Sequence, residues 1–142
     1  MNTEETKLVA RRIPYEVFNQ GKLSLADELV SRDFVNHSPM PGMADRGPES
    51  VKQLTTAIRS AFPDLQYTLE AEIAEGDKVV HRATARGTNT GSFMGIPATG
   101  KPATWTETHI VRFSGAQIVE HWGEVDLLGI MQQLGLAPAP GQ

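Results

Sequence analysis

Apolar residues recur every three or four positions through the first sixty residues, and beyond Leu65 the period shortens to two. Leu8, Val9, Ile13, Val17 and Phe18 mark a first helical face that Gly21 closes, and Pro14 inside it predicts a kink or a restart. Leu25, Leu29 and Val30 predict a short second helix. A third starts at Gly47-Pro48, buries Leu54, Ala57, Ile58 and Ala61, and ends at Phe62-Pro63-Asp64. Strands then follow over 65–75 and 78–88, joined by a Gly76-Asp77 turn. A loop over 87–101, rich in Gly, Thr and Pro, carries Phe93, Met94 and Ile96 as an apolar plug. A second hairpin pairs 103–113 with 117–124 across Gly115-Ala116, and Leu127, Leu128, Ile130, Met131 and Leu134 form a terminal helix ended by Gly135. Helices followed by antiparallel strands give an α+β layer fold.

Composition narrows the picture. The 142 residues suffice for one domain, expected over 1–136, with the Ala/Pro-rich stretch 137–142 as a loose tail. A net charge of −4 without a basic run argues against nucleic acid and anionic membranes as partners, and no window has the length of a membrane span. The polar, acidic N-terminus does not read as a signal peptide, which leads us to expect a cytoplasmic protein. The absence of cysteine removes disulfides, thiol nucleophiles and thiolate metal sites. Ile110, Val119 and Val125 make the threonine-rich strand face too apolar for a wholly wet surface, so a symmetric homodimer is expected.

The strand over 103–113 carries the chemistry. One face presents Trp105, Glu107, His109, Val111 and Phe113, the other Thr104, Thr106, Thr108, Ile110 and Arg112. The large apolar residues point the first face inward, which puts Glu107 and His109 in apolar surroundings. The two are either a general acid–base couple or a satisfied polar pair within the core. A two-residue turn at Gly115-Ala116 sets His109 opposite Trp122 and Glu107 opposite Glu124. Two carboxyls so placed share a proton, or a bulge near Gly123 separates them. Asn36 and His37 line a pocket or shape a turn, one of His81 and Arg82 points inward unless the strand is at an edge, and His121 falls on the outer face or at a subunit contact. Asp126 suits the cap of the terminal helix. No metal-ligand spacing and no Gly-rich phosphate loop occur, so neither metal nor other cofactor is expected.

Six stretches occur in the order and spacing typical of SnoaL-like ester cyclases: Val17-Phe18-Asn19-Gln20-Gly21, Asp33-Phe34-Val35-Asn36-His37, Ala61-Phe62-Pro63-Asp64-Leu65, Glu75-Gly76-Asp77-Lys78-Val79, Gly95-Ile96-Pro97-Ala98-Thr99-Gly100 and Ile118-Val119-Glu120-His121-Trp122. The chain thus resembles the SnoaL-like polyketide cyclase family from about Lys7 to Gly135. The resemblance implies a cone-shaped, cystatin-like fold shared with nuclear-transport-factor-2-like proteins, in which a curved antiparallel sheet and N-terminal helices enclose a pocket. It implies cofactor-free chemistry on a hydrophobic carbonyl compound. His109 matches a pocket histidine of that family, Glu107 a glutamine, and Asn36 a pocket asparagine, while Arg82 becomes the better inward candidate of its pair. Gly123 stands where those cyclases carry the aspartate taken as acid–base. The expected catalytic set is therefore His109, Glu107 and Glu124, with Asn36, His37, Arg82, Trp105 and Trp122 around the substrate. A related isomerase, dehydratase or hydroxylase, or a non-catalytic binding or dimerisation module, is the alternative that Gly123 keeps open.

Overall fold

The computed structural model describes residues 1–141, so Gln142, the last residue of the expected tail, lies outside the described residues. Helix α1 (Thr3–Arg12) starts at a capping box. The Asn2 side chain accepts from the Glu5 N–H, and the Glu5 carboxylate accepts from the Asn2 N–H. Pro14 changes the helix rather than breaking it: Ile13–Phe18 winds as a π-helix, closed by the Asn19 N–H on the Pro14 carbonyl. Gly21 ends the segment at φ +69°, and Arg59 binds the freed carbonyls of Phe18 and Asn19 at 2.9 and 2.8 Å. Helices α2 (Leu25–Leu29) and α3 (Gly47–Ala61) follow, the latter with proline in its first turn.

Between these helices the chain departs from the sequence reading. Val30 does not close a helix but opens a strand, β1 (Val30–Asn36). Strands β2 (Gln66–Glu75), β3 (Lys78–Thr88), β4 (Pro102–Ser114) and β5 (Gln117–Val125) then form the expected antiparallel meander, and α4 (Leu127–Gln133) covers one end. The order across the sheet is β1-β5-β4-β3-β2, with β1 parallel to β5, so the α+β class holds while the sheet is mixed.

Two bulges set what the inner face displays. The β4–β5 turn is the two-residue one expected, with Ser114 opposite Gln117 and Phe113 opposite Ile118. Arg112 then pairs with Glu120, so Val119 is the extra residue, and every later pair is shifted by one. On β2, Leu69 pairs with Ala83 but Ala71 with Arg82, which makes Glu70 the extra residue there. Because side chains alternate along a strand, each bulge gives the residues beyond it the face opposite to the one unbroken alternation predicts.

Two apolar clusters flank the space above the sheet. Phe62, Phe93, Trp105, Ile130 and Leu134 belong to one, and Ala10, Val30, Phe34, Phe113 and Ile118 to the other. Burying a side chain such as Phe62 or Ile130 stabilises the fold by about 1.5–3 kcal/mol. Loop 89–101 is held in place by Asn89, whose Oδ1 accepts from the Thr99 N–H and hydroxyl at 2.9 Å while its amide donates to the Gly91 carbonyl. Of the three plug residues expected in that loop only Phe93 is buried; Met94 is exposed and Ile96 half-buried.

Candidate functional site

A cavity of about 290 Å³ lies between the helices and the concave face of the sheet. Ile13, Phe18, Leu54 and Ile58 form its helical side, Trp105 and Val111 belong to its sheet wall, and Ile130 closes one end. Most of the lining is apolar, and five of the polar residues that reach it carry titratable or amide groups from the sheet: Glu107 and His109 on β4, His81 on β3, His121 on β5, and Asn36 at the end of β1.

Four of these five are joined in one line. Glu107, 5% exposed, accepts at Oε2 from the Trp105 indole N–H at 2.7 Å and from the Tyr67 hydroxyl at 3.0 Å. Its Oε1 lies 2.7 Å from His109 Nε2, His109 Nδ1 lies 2.8 Å from His121 Nε2, and His121 Nδ1 lies 2.7 Å from Asn36 Oδ1. Proton positions follow from the ends of the line. Asn36 Oδ1 already accepts from the Ser38 N–H, so His121 Nδ1 must donate to it. Burial, helped by the charges of His109 and His37, lowers the His121 pKa to about 3, so the ring is neutral and its Nε2 accepts. His109 Nδ1 therefore donates. One proton is left for the pair of Glu107 Oε1 and His109 Nε2, either as carboxylate and imidazolium or as acid and imidazole. Burial, then the charge and hydrogen bond of Glu107, push the Tyr67 phenol well above its ordinary value, which keeps it a donor.

A second histidine–carboxylate couple adjoins the first. His81 and His109 are cross-strand partners. His81 Nε2 is 2.7 Å from Glu72 Oε2, and Arg11 of α1 grips the other carboxylate oxygen through Nε at 2.8 Å and Nη2 at 2.7 Å. Burial raises the Glu72 pKa, but the hydrogen bonds from Arg11 and His81 and their charge outweigh it and hold the carboxyl below its ordinary value. Burial lowers the His81 pKa despite Glu72.

Several sequence expectations are corrected by register. Glu107 faces Val125 and His109 faces Gly123, because the Val119 bulge shifts β5 by one residue. Glu124 is consequently exposed beside Thr108 on the outer face, and it is His121, expected outside, that enters the cavity. Trp122 also turns outward, stacked on His37 with ring centroids 5.0 Å apart. His37 itself leaves the cavity to bond Glu120 at 2.8 Å. Glu120 is held below the ordinary carboxylate value by its bond to Arg112 and then by that to His37. Of the 81/82 pair it is His81 that points inward, while Arg82 is exposed. Trp105, Glu107, His109 and Asn36 line the cavity, and Asp126 caps α4 by accepting from the Gly129 N–H. Sequence reasoning did not find Glu72 or Tyr67; both sat within an alternating strand without a signal of their own. Among the described residues no three His, Asp or Glu side chains gather as a metal site, and no helix is long and apolar enough to cross a membrane.

Gly123 gains meaning from this geometry. Its φ is not positive, so the backbone does not demand glycine. A Cβ there would stand 2.5 Å from His109 Nδ1 and 2.8 Å from His121 Nε2. The space a side chain at 123 would take is filled by the hydrogen-bonded imidazoles, and the Gly123 N–H donates to the Ser38 hydroxyl.

Comparison with known proteins agrees with the fold and the helix-and-sheet order. The family model for SnoaL-like polyketide cyclase matches residues 8–134. The aklanonic acid methyl ester cyclase DnrD of Streptomyces peucetius is 29% identical over 130 residues, covering 90% of this chain and 88% of the relative. The nogalonic acid methyl ester cyclase of Streptomyces nogalater is 27% identical over 119 residues, covering 83% and 89%. The structure of TsrD from Streptomyces laurentii superposes with a TM-score of 0.86 at 28% identity, covering 96% of this chain and 99% of that one. With nearly its whole length matched, this chain belongs to the SnoaL-like polyketide cyclase family.

Proposed function

We propose that the chain is a cofactor-free cyclase acting on a hydrophobic, ester-bearing polyketide, closing a carbon ring by an intramolecular aldol-type addition as the names of its relatives suggest. The observation that carries this reading is the 2.7 Å hydrogen bond between Glu107 Oε1 and His109 Nε2 on the wall of an apolar cavity. Such a couple can give a proton to a bound substrate or take one from it, and the low-dielectric surroundings strengthen its interaction with charge developing on a carbonyl oxygen. Asn36 fixes the far end of the line through His121, and Trp105 and Tyr67 fix the near end. The cavity volume lies near the lower bound of small-molecule sites, which run from about 300 to 1,000 Å³.

The test is exchange of solvent deuterium into the acidic C–H of 1-(2-naphthyl)propan-2-one, a ketone of matching polarity, followed by NMR. Wild type should accelerate exchange. His109→Ala should lose about 100-fold or more of that rate, with stability reduced by less than about 2 kcal/mol because the side chain borders a void. Binding of the ketone by wild type without exchange would make the chain a binding module instead. We further propose that two copies pair through the outer sheet face, where Val80, Ile110 and Trp122 are only half-buried within one chain.

A further inference from the structure

We infer that His81, oriented by Glu72 and Arg11, is the base that takes a proton from substrate carbon, while the Glu107–His109 couple serves the oxygen. The inference rests on the acid–base reading above and assigns its roles. It starts from a count of free lone pairs. Both ring nitrogens of His109 and both of His121 are engaged by protein partners. His81 differs. Its Nε2 is bonded to Glu72, but no group among the described residues bonds its Nδ1. No buried side-chain nitrogen or oxygen is left without a partner, so Nδ1 is not sealed away but opens onto the cavity His81 lines.

The proton sits on the far nitrogen for a stated reason. Glu72 is gripped by both Arg11 nitrogens, a charge-assisted fork that keeps it ionised. An ionised carboxylate only accepts, so His81 Nε2 carries the hydrogen and the Nδ1 lone pair faces the cavity. The groups facing His81 are Glu72 of β2, Arg11 of α1 and His109 of β4. Burial together with the charges of Arg11 and His109 outweighs Glu72, and the ring stays neutral and ready to accept. Glu72 is thus a positioning residue, aimed inward only because the Glu70 bulge turns it opposite His81.

The adjacency of the couples suits a ketone with an acidic neighbouring C–H and a second carbonyl in the same molecule. Cross-strand neighbours such as His81 and His109 have Cβ atoms about 5 Å apart. His81 Nδ1 takes the proton from carbon, and the C–H electrons pass through the enolate into a new C–C bond to the second carbonyl carbon. The electrons of that C=O go to its oxygen, which takes the proton shared by Glu107 and His109. The proton on His81 then returns to that couple, so the enzyme is restored and nothing external is consumed.

Glu72→Gln provides the sharpest test, because an amide can donate to His81 Nε2 and move the ring proton to Nδ1, which blocks the base at almost unchanged volume. Deuterium exchange into 1-(2-naphthyl)propan-2-one should fall about 100-fold or more in His81→Gln and in Glu72→Gln, while calorimetric binding of the ketone stays within about threefold. The pH profile of wild-type exchange should rise to its plateau below the ordinary histidine value, and Glu72→Asp should recover part of the rate. Exchange at the wild-type rate in either folded variant, with His109→Ala dead, would overturn the role of His81 and leave the acid–base reading standing. Absence of exchange in wild type itself would instead remove the reading beneath it.

Discussion

At the scale of the residue, alternation along one strand was enough to place Trp105, Glu107 and His109 on the inner face, because β4 carries no bulge and obeys period two without interruption. It could not rank His81 against Arg82, since both are polar and the strand's apolar neighbours are small. Nor could it show that His121 is buried and neutral. That burial has a thermodynamic consequence. An unfolded His121 binds its proton around pH 6.5, and the folded one only near pH 3. In between, the unfolded state holds more protons, so the contribution of His121 is intact above about pH 6.5 and is lost as the pH falls toward 3. His81 acts in the same direction. Carboxylates such as Glu72, held below their ordinary value near 4.5, add to the loss only at lower pH. Urea midpoints between pH 6.5 and 4.5 should therefore decline, with a slope of up to about 1.4 kcal/mol per pH unit for each imidazole. His121→Asn should flatten the slope; equal slopes in both proteins would show that His121 is charged in the fold.

At the scale of the element, the helices and the four later strands were legible because each is a long periodic run bounded by turn residues, whereas β1 was not. Val30, Phe34 and Val35 follow neither period cleanly, and the strand is recruited by β5 rather than by its own alternation. The bulges were equally invisible: one extra residue leaves composition untouched and reverses every face beyond it. Deleting Val119 should remove the bulge and leave every later pair, from Arg112 with Glu120 to Glu107 with Val125, on the face it already holds, so that His121 stays in the cavity. Ketone binding should persist, with stability within about 2 kcal/mol of wild type. Loss of ketone binding in a folded variant would show that the register slips at the Gly115-Ala116 turn instead and carries His121 out of the cavity.

At the scale of the whole molecule, the family resemblance made the enclosed pocket legible before its walls were known, because six weak motifs in order fix one topology. What that topology holds is another matter, since Gly123 and the two histidine couples belong to this chain's own register. The outer sheet face gives the remaining expectation. Multi-angle light scattering at micromolar concentration should yield twice the 15.5 kDa chain mass, and a mass of one chain would refute pairing through that face. The Val119 bulge also bears on how such a pocket could diverge. An extra residue absorbed as a bulge at position 119 lengthens β5 while Glu120 to Val125 keep their partners and their faces. Lineages that share this scaffold can then vary the length of β5 while presenting the same groups, and an alignment that opens no gap at the bulge would set His121 and Gly123 against residues of the opposite face.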